Sequence, residues 1–205
     1  AVNQGHCHPK IVEALNKQAA TLTLTSRAFH NDVLGPFEKY ATEYFGFDKL
    51  LPMNTGAEAV ETAVKAARRW GYEIKGIPQD KAEIIVCTGN FHGRTTTIIS
   101  FSDEDEYRKN FGPLTPGFKI VTYGDTDSLE EVITPNTAAF LVEPIQGEGG
   151  VNLPPSDYLQ EVRKITEEVG AAMILDEIQT GLGRTGSFWN CNQTNVVPDI
   201  LTSAK

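Results

Sequence analysis

The chain has 205 residues, 40% hydrophobic and 22% charged, enough for one large domain or two small ones around a sizeable core. Lys and Arg total 18 against 27 Asp and Glu, a formal net charge of -9; phosphate-rich surfaces demand clustered positive charge, which argues against nucleic acid or anionic membrane as the main partner. No apolar run approaches the length that spans a bilayer, and the widely spaced Cys7, Cys87 and Cys191 read as reduced thiols of a cytoplasmic protein, or of a mitochondrial matrix protein that has lost a transit peptide.

From its start at Ala1-Val2-Asn3, without Met or leader, the chain alternates short apolar runs with longer amphipathic ones. Pro9 opens a helix through Ile11, Val12, Leu15 and Ala19, whose three-to-four spacing makes one apolar face. A second helix is expected over 36–45, stopped by Gly46. Residues 49–53 read as a short strand, followed by a long helix from 56 to about 75 with Ala59, Val60, Ala63, Val64 and Ala67 as its stripe. Strands are expected at 82–87, 118–122, 138–142 and 171–175; the last two are apolar throughout, as in strands covered on both faces. Residues 103–117 lack a period and read as irregular, 155–169 as a helix, and 199–202 as one more strand. The chain stops at Lys205 directly after it, so we expect a piece of a longer polypeptide. This order of elements is that of an α/β domain with a largely parallel sheet.

Polar residues follow each strand: Asn54-Thr55-Gly56-Ala57-Glu58, Gly89-Asn90-Phe91-His92-Gly93-Arg94, Glu143 and Asp176. In an open parallel sheet the carboxyl ends of the strands share one edge, where ligands bind, so these residues are expected to converge. The turn at Thr55-Gly56-Ala57 suits a phosphate through free N–H groups and the helix dipole, or is an ordinary cap with Glu58 completing a capping box. Asp176-Glu177 fits three roles: a magnesium-handling strand end, a carboxylate facing a protonated ring nitrogen, or a turn carboxylate. The nucleotide reading lacks its phosphate loop. In the nearest string, at 89–95, three residues separate the glycines instead of four, and Arg94 stands in place of Lys. His6-Cys7-His8 has no second ligand cluster at zinc spacing, and no serine-nucleophile elbow is present. Lys205 is a surface charge or, in a dry pocket or beside other cations, a nucleophile; position alone leaves both open.

Six ordered stretches carry a resemblance: residues 1–10 (AVNQGHCHPK), 25–29 (TSRAF), 53–59 (MNTGAEA), 89–95 (GNFHGRT), 142–148 (VEPIQGE) and 176–181 (DEIQTG). Through them the chain resembles the class III (subgroup II) pyridoxal-phosphate (PLP) aminotransferases from end to end, most closely the ornithine aminotransferases. The resemblance implies the type I PLP-dependent transferase large domain, a mainly parallel seven-stranded sheet with helices on both faces. Residues 1–8 would end an N-terminal segment and 9–205 would form an incomplete large domain, with the small C-terminal domain absent.

By the same resemblance, Lys205 matches the lysine that holds the cofactor covalently and shuttles the proton, and Asp176 the carboxylate facing the pyridine nitrogen. Gln179 matches the amide at the ring's phenolic oxygen, Phe91 the stacking aromatic, and Gly56 with Ala57 the phosphate donors. Arg94 matches a carboxylate-binding arginine, Glu148 a glutamate that masks or releases another arginine, and Glu143 a second lining carboxylate. The implied reaction moves the δ-amino group of L-ornithine to 2-oxoglutarate, in a homodimer. Two departures, His92 in place of Trp and Ser203-Ala204 in place of Leu-Gly, keep acetylornithine and 4-aminobutyrate open as donors. A PLP-fold protein without activity, or a nucleotide-binding module, is the alternative from a different class.

Overall fold

The computed structural model describes residues 2–26 and 28–205. Ala1 and Arg27, each part of a stretch quoted above, lie outside the described residues. The chain divides into two compact units, Ala1–Pro52 and Met53–Lys205.

In the first unit, α1 (Pro9–Ala19) begins with its proline in the first turn, where the missing N–H costs nothing. Helix α2 (Leu34–Phe45) ends at Gly46, whose φ of 75° is left-handed and whose N–H returns to Thr42 O. Both match the sequence expectation, with α2 starting two residues earlier. The His6-Cys7-His8 tract forms a turn, with Cys7 at φ 54° and His8 as the N-cap of α1. The strand expected at 49–53 does not form. Pro52 has no N–H to give to a ladder, and Leu51 and Met53 are left exposed.

The second unit is built on five strands: β1 (Glu83–Cys87), β2 (Phe118–Val121), β3 (Thr137–Val142), β4 (Ala172–Asp176) and β5 (Ile200–Thr202). Their order is β2-β1-β3-β4-β5 and every pair is parallel. Five strands are thus seen among the described residues where seven were expected of the whole domain. The long helix α3 (Gly56–Trp70) lays Val60, Ala63, Val64 and Ala67 on one sheet face, against Ile84, Val86, Ala139, Leu141 and Ile174. It continues into a π-turn over Gly71–Lys75, as the expected reach to 75 requires. Alternate strand residues point the opposite way, and Ile85, Phe140, Met173 and Leu175 are fully buried there too. The sheet is therefore covered on both faces, which is why β3 reads as an unbroken apolar run.

Helix α7 (Tyr158–Glu168) packs on β4, burying Leu159, Val162 and Ile165. Three short helices have no periodic signal in the sequence: α4 (Thr96–Ile99), α5 (Asp105–Arg108) inside the segment read as irregular, and α6 (Thr126–Val132), capped by Asp125. At four to seven residues each, they are too short for an apolar stripe to repeat.

Candidate functional site

The buried polar residues of the second unit are unevenly spread. Asn90, His92, Glu143, Gln146, Asp176, Glu177 and Thr202 are all at most 5% exposed, and all lie at or just beyond the carboxyl ends of β1, β3, β4 and β5. From β1 the chain passes to β2 on one side, and β3 lies on the other, so the loops after β1 and β3 border the crevice where such sheets hold ligands. They are tied together there: Phe91 N donates to Glu143 Oε2 at 3.1 Å.

Asp176 ends β4 with both carboxylate oxygens engaged. Oδ1 accepts from Ile178 N and from Thr202 Oγ1, each at 3.1 Å, while Oδ2 lies 2.6 Å from His92 Nδ1. Thr202 reaches it because β4 and β5 pair in register, Asp176 opposite Thr202. Burial opposes a charge on His92, but the hydrogen bond and charge of Asp176, with Glu143 adding to them, raise its pKa above the ordinary value. Burial pushes the Glu143 carboxyl up to about 7; His92 opposes the rise, and the charge of Asp176 adds to it. Glu177 faces away from this cluster. Its fully buried carboxylate accepts from Asn190 N, Cys191 N and Thr180 Oγ1, which pins the segment after β4.

The turn before α3 is half a capping box. Thr55 Oγ1 accepts from Glu58 N at 3.1 Å, but the Glu58 carboxylate takes the N–H of Asn54 rather than that of Thr55. The N–H groups of Gly56 and Ala57 have no partner among the described residues, so they remain available at the positive end of a 15-residue helix. Close packing accounts for both glycines at this edge. A Cβ on Gly56 would lie 2.9 Å from Ile178 Cδ1, and one on Gly93, at φ 131°, would lie 2.9 Å from Ala57 Cβ.

The side chains expected from sequence come together. Gly56, Ala57, Phe91, Arg94, Glu143, Glu148, Asp176, Gln179 and Lys205 all line one pocket of about 460 Å³. Arg94 is exposed, with its guanidinium 5.5 Å from the centre of the Phe91 ring. Gln179 Nε2 donates to Glu148 Oε1 at 3.2 Å. The Lys205 carbonyl accepts from Arg184 at 3.3 Å.

The pocket is also lined by Thr55, His92, Gly93, Ile178 and Ala204, to which the resemblance gave no cofactor or substrate contact. Of these, Ile178 was within reach: two residues past a strand-ending carboxylate, an apolar side chain at the ligand edge calls for a reason. The His92–Asp176 contact spans 84 positions and had no local signal.

The geometry weighs against nucleotide binding. The N–H of Gly89, in the string nearest a phosphate loop, already donates to the Asp103 carboxylate at 2.9 and 3.0 Å. Asp176 and Glu177 each already take three protein donors, so neither offers the open carboxylate that a magnesium ion coordinates.

Comparison with known proteins identifies the family. The family model "Aminotransferase class-III" matches residues 1–205. The chain is 58% identical over 205 residues to an ornithine aminotransferase of Geobacillus sp. (strain WCH70), covering 100% of this chain and 52% of the relative. It is similar to the ornithine aminotransferase structure from Toxoplasma gondii in which PLP partly occupies the active site, with TM-score 0.95 and 52% identity over 97% of this chain and 47% of that one. It is also similar to an acetylornithine aminotransferase structure from Elizabethkingia anophelis, with TM-score 0.85 and 55% identity over 98% of this chain and 49% of that one. The chain thus spans about half the length of the curated relatives it matches.

Proposed function

This chain belongs to the class-III aminotransferase family, and from that premise we propose that the whole protein transfers the δ-amino group of L-ornithine to 2-oxoglutarate, giving glutamate 5-semialdehyde and glutamate, with PLP as cofactor. The observation that carries the reading is the convergence of Lys205, Asp176, Gln179, Phe91 and an open-amide turn on one pocket, in a chain 58% identical to an ornithine aminotransferase.

The pocket's residues fit the cofactor. The unpartnered N–H groups of Gly56 and Ala57, at the positive end of α3, would hold its phosphate. Phe91 and Ile178 would flank its ring, and the Gln179 amide would donate to the phenolic oxygen. Asp176, held by three donors, presents the negative charge that keeps a pyridine nitrogen protonated. When bound, PLP supplies an electron sink for the pair left on the substrate carbon. Lys205 Nζ would hold the cofactor and then carry the proton that leaves the amino-bearing carbon of the substrate. Arg94 offers a guanidinium fork to a substrate carboxylate. Glu148, bound to Gln179, sets a negative charge beside the cofactor's amide contact, where a cationic amino donor gains from it. Glu143, at about 7, changes charge near neutral pH against the same pocket.

A second donor, N-acetylornithine, is favoured by one comparison: the Elizabethkingia acetylornithine aminotransferase is 55% identical to this chain. The proposal includes a homodimer. On α2 the side chains of Phe37, Tyr40 and Tyr44 are exposed at helical spacing, the kind of apolar surface a partner covers. It also includes a cytoplasmic location, which the free thiols of Cys7, Cys87 and Cys191 suit.

Lys205→Ala in the full-length protein tests the mechanism. Transamination should fall by at least about a thousandfold, with the circular dichroism spectrum unchanged. Undiminished turnover in a folded Lys205→Ala protein would remove this reading.

A further inference from the structure

The loop between β3 and α7 carries a buried amide that no role assigned so far uses. Gln146 is 2% exposed and lies outside the pocket lining, two residues before Glu148, which belongs to it. We propose that Gln146, seconded by Asn152, is a positioning residue: it clamps the hairpin of residues 146–152 to the end of β1, and so holds the Glu148 carboxylate where it favours a cationic amino donor over a dianionic acceptor. The proposal deepens the transamination reading above and rests on it.

The anchor comes first. Gln146 Nε2 donates to Thr88 O at 2.6 Å, across 58 positions. Thr88 continues the ladder past β1, its own N–H on Val121 O at 2.7 Å, so the hairpin is tied to the sheet itself. The same amide closes the hairpin. Gln146 and Asn152 exchange both backbone hydrogen bonds, at 3.1 and 2.9 Å. Asn152 Nδ2 donates to Gln146 Oε1 at 3.1 Å and to Gly149 O at 2.9 Å. One side-chain amide thus joins both arms of the hairpin to β1.

Packing at the tip leaves Glu148 little room. A Cβ on Gly147 would lie 2.7 Å from Gln179 Oε1, and one on Gly149 would lie 2.5 Å from Gly89 O. Glu148 stands between these two glycines. Beyond them Val151 holds φ 57°, a conformation that a β-branched residue keeps only where its surroundings impose it.

The Glu148 side chain is itself exposed, so its charge is only as well placed as its backbone. Here it stays on the pocket wall, 3.2 Å from Gln179 Nε2. A fixed negative charge there attracts the cationic L-ornithine and repels 2-oxoglutarate, which brings two carboxylates. Releasing the clamp weakens both effects, and these run in opposite directions for the two half-reactions. Loss of fold or of cofactor would depress both half-reactions alike.

The test uses the full-length holoenzyme saturated with PLP. Each half-reaction is followed by the visible absorption of the cofactor, lost with L-ornithine and recovered with 2-oxoglutarate. The readout is the ratio of the L-ornithine kcat/KM to the 2-oxoglutarate kcat/KM, in wild type, Gln146→Ala, Glu148→Gln and the double variant. Gln146→Ala should lower the ratio at least about fivefold, chiefly by raising the KM for L-ornithine, with the KM for 2-oxoglutarate unchanged or lower. Glu148→Gln should lower it at least as much, and adding Gln146→Ala to Glu148→Gln should change it by less than about twofold. A wild-type ratio in Gln146→Ala, or an equal fall in both backgrounds, would overturn the proposal. So would a wild-type ratio in Glu148→Gln, a result that leaves the reaction itself in place. If circular dichroism shows that Gln146→Ala does not fold, Asn152→Ala takes its place in the same cycle and is judged by the same outcomes. Wild-type protein that reacts with neither substrate would remove the transamination reading, and the proposal with it, before any variant is compared.

Discussion

Glu143→Gln isolates the electrostatic cost built into the site. Glu143 is 5% exposed and its carboxyl is pushed from 4.5 up to about 7, first by burial and then by the charge of Asp176, with His92 opposing. The folded protein therefore binds this proton more tightly than the unfolded chain does. The stabilisation from it is fully present below about pH 4.5 and is lost as pH rises through about 7. A difference of roughly 2.5 pH units corresponds to about 3 kcal/mol, as an order of magnitude. Gln is neutral at every pH, matches the protonated acid in shape, and still accepts the Phe91 N–H. Removing the Glu143 charge also takes away one of the two carboxylates that favour the His92 imidazolium, so the difference includes the change at His92. Urea denaturation of the cofactor-free protein, wild type and Glu143→Gln, is measured from about pH 5 to about pH 8. The variant should gain about 2.5 kcal/mol on wild type across that range, most of it between pH 5 and 7. A difference that stays flat with pH, or one that favours wild type at alkaline pH, would refute the reasoning.

Two structural outcomes follow from the segment after β4. A Cβ on Gly181 would sit 2.6 Å from Trp189 Cζ3 and 2.7 Å from Glu177 O; Gly181→Ala should therefore cost about 2–3 kcal/mol in denaturant unfolding, and a cost near zero would contradict the packing. Glu177→Ala strands the buried N–H groups of Asn190 and Cys191. It should destabilise by about 2–4 kcal/mol and make the 180–193 segment a protease target, while an unchanged digestion pattern would show that Glu177 does not hold it.

The parts of this fold that were legible in sequence are those whose signal is local. β3 and β4 announce themselves as unbroken apolar runs because both sheet faces are covered. The site was legible for a topological reason: parallel strands bring every carboxyl end to one edge, so Phe91, Glu143 and Asp176 had to meet whatever the loop details. The stretch at 49–53 misled because Leu50, Leu51 and Met53 supply apolar character while Pro52 denies the ladder its donor. Helix α6 was missed because its boundary signal, the Asp125 cap, stands before only seven residues. Contacts set by register stayed hidden. Thr202 reaches Asp176 only because β5 pairs with β4 in one alignment, and His92 reaches it from 84 positions away. Roles for Lys205 and Gln179 came from resemblance and not from pattern, since neither residue type betrays its neighbours.

The visible absorption spectrum of the full-length protein with PLP, before and after L-ornithine, tests the central claim most directly. A yellow band that bleaches on adding L-ornithine, and not on adding N-acetylornithine, is the expected result. Bleaching with N-acetylornithine alone would contradict the proposed donor while leaving the chemistry in place. No band from a folded full-length protein would contradict the cofactor assignment of Lys205 itself.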